Sequence, residues 1–156
     1  MNHFQSLKTL SYVNIRRILR IWIQTIIPPA ITTALYLLIF GELIGKRIGE
    51  MPGYEGLTYL EFMVPGLIML SVITNSYANV ASAFFGSKFQ KAIEEILISP
   101  MPNWAIMFGF IIGGITRGIL VGVVVVLVSL LFTSFQINNI ALTLFSILIT
   151  STLFSI

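Results

Sequence analysis

Four stretches of this chain, residues 22–44, 62–85, 106–135 and 140–156, carry almost no charge; the third exceeds what one membrane crossing needs and the fourth is barely long enough for one. A helix rising ~1.5 Å per residue needs about 20 apolar residues to cross ~30 Å of hydrocarbon. The stretches therefore predict transmembrane helices. With 56% hydrophobic and only 10% charged residues, and a mean hydropathy of +0.96, the whole chain departs from soluble usage in the same direction. The predicted fold class is an all-α membrane protein of about four spans.

Several function classes drop out early. The chain has no cysteine, which removes disulfides and thiolate metal sites, and its one histidine, His3, reads as a solvated residue near the terminus. No metal site is predicted. A net charge of +3, scattered along the chain, gives no nucleic-acid footprint. Glu94 and Glu95 are adjacent, so on a helix they point about 100° apart, and no nucleophile or base accompanies them. No catalytic residue is predicted, which also weighs against an intramembrane enzyme.

Before the first span, residues 3–21 read as an amphipathic helix lying in the interface. Phe4, Leu7, Tyr12, Ile15, Ile18, Leu19 and Trp22 fall on one side, and Gln5, Thr9, Arg16, Arg17 and Arg20 mostly opposite. Lys8, Ser11 and Asn14 fit this division poorly. A signal peptide is excluded by the late, long apolar run and the lack of a small-residue cleavage site. Pro28 and Pro29 lie near the start of the first span, where a kink is absorbed by neighbours. Residues 45–61, with Lys46, Arg47, Glu50, Pro52 and Glu55, read as a loop leading to a short surface helix near 57–62.

In the second span, Ser71, Asn75, Asn79 and Ser82 recur every three or four residues and so share one helix face. They serve either as hydrogen-bonding contacts between helices or as the lining of a substrate path. In the third span Gly114, Gly118 and Gly122 repeat at intervals of four, with Gly109 and Gly113 on an adjacent face. That spacing lets another helix approach closely, in the same subunit or a second one. Arg117 interrupts this run. It either snorkels to the inner headgroups or lies at depth facing a polar cavity.

Residues 86–104, GSKFQKAIEEILISPMPNW, form the charged island between the second and third spans. Ser87 and Gln90 have capping-box spacing and predict a helix start, while Pro100 and Pro102 predict a stop near Ile98. Phe89, Ile93, Ile96 and Leu97 make an apolar side, with Lys88, Lys91, Glu94 and Glu95 opposite. An amino terminus inside places Lys8, Arg16, Arg17, Arg20, Lys88 and Lys91 in the cytoplasm, against Lys46 and Arg47 outside. The island is then cytoplasmic.

This order of elements, with EEILISPMP in the island and GGITRG in the third span, resembles the permease subunit of ABC-2 type ATP-binding-cassette exporters of bacterial inner membranes. The resemblance covers the whole chain and is most specific over residues 93–102. It implies a single transmembrane domain over 1–156, divided into an interfacial helix 3–21, spans 22–44, 62–85, 106–135 and 140–156, an outer loop 45–61 and a cytoplasmic segment 86–103. The family has further spanning helices, so the chain is expected to be an incomplete, N-terminal portion. The resemblance further implies outward transport by a permease homodimer, with ATP and Mg held by a separate ATPase subunit. The chain has no phosphate-binding G-x-x-x-x-G-K-[ST] motif and no cofactor of its own is expected.

On this resemblance the island is a coupling helix, with Lys88, Phe89, Lys91, Ile93, Glu94, Glu95, Leu97 and Pro100 as its docking residues. Asn75, Asn79 and Arg117 become candidates for the substrate path or for helix packing, and Gly114, Gly118 and Gly122 for helix packing. The competing reading is a non-transporting scaffold or assembly factor, or an inactive truncated permease.

Overall fold

The computed structural model describes residues 3–45, 58–98, 101–132 and 139–156. Every regular element among them is a helix: α1 (His3–Arg20), α2 (Trp22–Leu38) continued by a π-helical segment (Ile39–Gly45), α3 (Tyr59–Phe89), α4 (Ala92–Ile98), α5 (Asn103–Phe132) and α6 (Ile140–Leu153). The segments Trp22–Gly41, Tyr59–Phe89 and Asn103–Phe132 are long and apolar enough to cross a membrane. The chain is an all-α membrane protein. α6, at 14 residues, reaches about 21 Å, short of the ~30 Å that one crossing needs. The outer positions of these helices carry large apolar side chains such as Ile31, Leu35, Leu70, Leu127 and Leu148, as a lipid-facing surface requires.

α5 is the axis of the bundle, since α1, α2, α3 and α6 all pack chiefly on it. A row of glycines sets how close they come. A Cβ built on Gly122 meets Val72 of α3 and Ile147 of α6, both at 2.9 Å. One turn earlier, at Gly118, it meets Ser76 of α3 and, at 2.8 Å, Ser151 of α6; at Gly114 it meets Val80 at 2.5 Å and Ser155 at 2.6 Å. α3 and α6 thus both run antiparallel to α5, and each offers a residue every fourth position to the same glycine. α1 runs the other way. Leu10 lies against Gly109 and Asn14 against Gly113, so α1 is parallel to the first half of α5.

Two apolar clusters flank this row. One joins Leu37, Val64, Ile68, Val72, Val121, Val125 and Ile147, and the other joins Ala83, Ile106 and Phe110 with Val80, Ile96 and Met101 around them. Between them lies a layer of small and polar side chains. Ser76, Asn79, Ser151 and Ser155 are buried there beside the glycines.

The start of α3 is fixed by its cap. The Glu61 carboxylate accepts a hydrogen bond from the backbone N–H of Thr58 at 3.0 Å, the reciprocal arm of a capping box. Residues 58–62, read from sequence as a short surface helix at the end of the loop, are the cap and first turn of this long helix. Glu61→Ala should fray that turn at a cost of about 0.5–1 kcal/mol. Faster amide exchange confined to the first turn of α3, with the remaining helices unchanged, is the expected signature.

Tyr12 and Leu19, on the apolar side of the first helix, face away from the bundle, and the face turned to the bundle is Ser11, Asn14 and Ile18. Asn14 accounts for this, because its Nδ2 donates to the Gly109 carbonyl at 3.2 Å and so holds a polar side chain against α5. One reading of the sequence needs correction, that of Ser87, which caps nothing. Its hydroxyl donates to the Ala83 carbonyl at 2.8 Å inside α3, and the short helix begins only at Ala92.

Candidate functional site

Arg117 sits at the middle of α5, one position before the glycine that α3 and α6 clamp. Close packing leaves no room for a long side chain on the glycine face. Its guanidinium turns instead towards a cavity of about 410 Å³ between α2 and α3, a volume within the usual range for small-ligand sites. Gln24, Thr32 and Thr33 of α2 and Ser71, Thr74 and Asn75 of α3 give the cavity polar walls, and Tyr36, Leu67 and Leu70 make part of it apolar. The cavity exists because α2 leans on α5 and touches α3 only sparsely.

The polar groups are oriented. Asn75 Nδ2 donates to the Ser71 carbonyl at 2.9 Å, which leaves Oδ1 facing Arg117 and accepting from its Nη2 at a long 3.4 Å. Arg117 Nε is buried and has no hydrogen-bond partner. Among the described residues, no carboxylate or imidazole lines the cavity. It offers a cation, hydroxyls and amides, which suits holding and orienting a ligand rather than breaking a bond in one.

Asn79 stands elsewhere. It is buried against Gly113, close to Asn14, and its Nδ2 has no partner. Of the polar positions singled out in the second span, Ser71 and Asn75 face the cavity, Asn79 faces the junction of α1, α3 and α5, and Ser82 is exposed. Sequence reasoning missed the α2 wall of the cavity and the serines of α3 and α6 that meet the glycines. Ser151 and Ser155 did carry a signal, being small residues four apart. The α2 wall carried none, because which face of α2 turns inward depends on where α3 lies.

The second region of interest is the turn and short helix after α3. α3 ends with the Gln90 N–H bonded to the Gly86 carbonyl, and Lys91 then adopts a left-handed φ of 56°. Glycine or asparagine usually fills that position at a helix end. In α4, Ile93 and Ile96 are half-buried, with Ile96 on the Ala83, Ile106 and Phe110 cluster. Glu94, Glu95 and Ile98 are exposed, and Phe89, at the end of α3, is 86% exposed. Leu97 is also largely exposed, yet with Ile93 it lines an apolar cavity against Val80, Phe84 and Phe110. Of the apolar side predicted from sequence, Ile93, Ile96 and Leu97 thus turn towards the bundle, whereas Phe89 is presented outward beside Lys88, Lys91 and the two glutamates. Pro100 lies outside the described residues, as do Lys46 and Arg47.

The model of the ABC-2 type transporter family matches residues 5–156. Over 154 residues the chain is 49% identical to the inner membrane transport permease YadH of Escherichia coli K12, and equally to its counterparts in E. coli O157:H7 and Shigella flexneri. The alignment takes in 99% of this chain and 59% of each relative, so the chain spans well under two thirds of their length. No solved structure matches it.

Proposed function

We propose, because this chain belongs to the ABC-2 type transporter family, that it is part of a permease subunit that moves substrate outward across a bacterial inner membrane. A separate ATPase subunit binds ATP and Mg and supplies the work. The amino terminus and α4 lie in the cytoplasm, in keeping with the basic residues of α1 and of the segment after α3. Two permease copies form the complete unit, and Asn75 and Arg117 line the path that substrate takes.

The observation that carries this reading is the form of α4. A seven-residue helix is seated by Ile96 on the bundle core, its exposed side offers Glu94 and Glu95 to a partner, and the largely exposed Leu97 lies at the edge of that side. A push on that outer side passes through packed contacts to α3 and α5 and not into a loose loop. Lys88, Phe89 and Lys91 extend the docking surface at the end of α3, and Pro100 follows α4 in the sequence.

Replacing Glu94, Glu95 and Leu97 together should leave membrane insertion intact and reduce recovery of the partner ATPase with the full-length permease by at least about tenfold. Undiminished ATPase recovery and undiminished transport in that triple variant would sink the coupling role.

A further inference from the structure

We propose that the cavity between α2 and α3 receives the anionic headgroup of an amphiphile, with Arg117 as its charge partner and the ligand's hydrocarbon lying against Tyr36, Leu67 and Leu70. This deepens the reading of Arg117 as part of the substrate path and rests on it. The distribution of charge carries the inference. From residue 1 to 41, from 62 to 93 and from 96 to 156 the chain contains no aspartate or glutamate. The nearest acidic positions along the cavity helices are Glu42, past the far end of the α2 wall, and Glu61, about 21 Å from Asn75 at the usual helical rise.

A guanidinium stays protonated in proteins, so the cavity holds a fixed positive charge with no counter-charge among the described residues that line it. Removing even part of a charge from water without a counter-charge is costly, and among the described residues a neutral amide is the only hydrogen-bond partner of this half-buried guanidinium. Asn75 takes one of five N–H donors at 3.4 Å, and Nε is buried with none. The planar fork matches the oxygens of phosphate or carboxylate. Thr32, Thr33, Ser71 and Thr74 supply hydroxyls beside it.

The apolar residues select the source. Leu67 and Leu70 line the cavity at its α3 wall, and Leu70 is 55% exposed on a face suited to lipid. A small soluble anion would leave these surfaces uncovered, whereas an anionic lipid covers both parts of the cleft. A headgroup entering sideways between α2 and α3 needs no passage through the bundle, because those two helices touch only sparsely.

Native mass spectrometry of the full-length protein, purified in detergent without its ATPase, tests this with phosphatidylglycerol, phosphatidylcholine and inorganic phosphate as probes. The wild type should retain phosphatidylglycerol about tenfold more strongly than phosphatidylcholine. R117Q should abolish the preference, and R117K should keep most of it. S71D, which leaves Arg117 in place and supplies a counter-charge inside the cavity, should abolish it as well, so the test does not hang on one variant's folding. Equal retention of the two lipids by wild type, or a preference untouched in both R117Q and S71D, overturns the site. Displacement of phosphatidylglycerol by millimolar inorganic phosphate assigns the site to a soluble anion and overturns the amphiphile. Binding is read without transport, so a failure here leaves the α4 coupling role standing, and a failure of α4 variants leaves this site standing.

Discussion

Gly118→Leu is expected to eliminate the folded protein. A Cβ at this position already collides with the Ser76 hydroxyl and comes within 2.8 Å of the Ser151 Cβ. Neither neighbour is the yielding tip of a long side chain. Ser76 and Ser151 are themselves fully buried, and their Cβ atoms are tied to the backbones of α3 and α6. Relief therefore requires moving whole helices away from α5, which opens both apolar clusters. Overpacking a core by even small groups costs about 1–3 kcal/mol, the range expected for Gly118→Ala. Leucine adds three further carbons in a site with no free side, and the loss should reach the whole stability of a typical domain, about 5–15 kcal/mol. Size-exclusion profiles and thermal melts in mild detergent should show an aggregated leucine variant and an alanine variant with a lowered Tm. A monodisperse leucine variant melting within a few degrees of wild type would contradict the packing described for α3, α5 and α6.

Gly109→Leu should do something different, releasing α1 while sparing the bundle. The three atoms nearest to a Cβ there all belong to Leu10, with Cδ2 at 2.5 Å and Cγ at 2.8 Å. The obstructed element is a single helix held on one side, by Leu10, Asn14 and Ile18. Undocking it exposes Ser11, which is 9% accessible in the packed helix. The chain contains no cysteine, so Ser11→Cys is a clean reporter. Labelling by a charged maleimide should rise about tenfold in the Gly109→Leu background, the factor given by a ~1.4 kcal/mol shift in local opening. Ser76→Cys, in the clamp between α3 and α5, should stay unlabelled in both backgrounds. Equal gains at the two positions would mean global unfolding and refute a separately docked α1.

These contrasts show which parts of the molecule are legible in sequence. Length and apolarity reveal α2, α3 and α5 as spans, because hydrocarbon tolerates few alternatives to a long helix. The inward face of α1 is hidden by chemistry that looks solvent-facing. Ser11 and Asn14 resemble polar surface residues, yet Asn14 earns burial by reaching a glycine carbonyl that only close helix approach makes available. Ser87 misleads for a related reason, since a serine hydroxyl serves an i−4 carbonyl inside a helix as readily as it caps one. The left-handed turn at Lys91 has no glycine or asparagine to announce it. At the cavity, Asn75 and Arg117 stand out as polar groups in apolar runs, and the structure brings them together. Thr32, Thr33 and Tyr36 do not stand out, because a threonine or tyrosine in a span is ordinary until the neighbouring helix defines its face.

The central position of α5 also bears on how the protein is made. α1, α2 and α3 touch one another little or not at all and find their main contacts on a helix that begins only at Asn103. A ribosome that has delivered the first three helices has therefore delivered a set with no common partner. Until the glycine row emerges, Asn14, Asn79 and Ser76 stand without the surface that buries them. Assembly is thus deferred, and the nascent helices are most vulnerable to membrane quality control during the interval before α5 enters the bilayer.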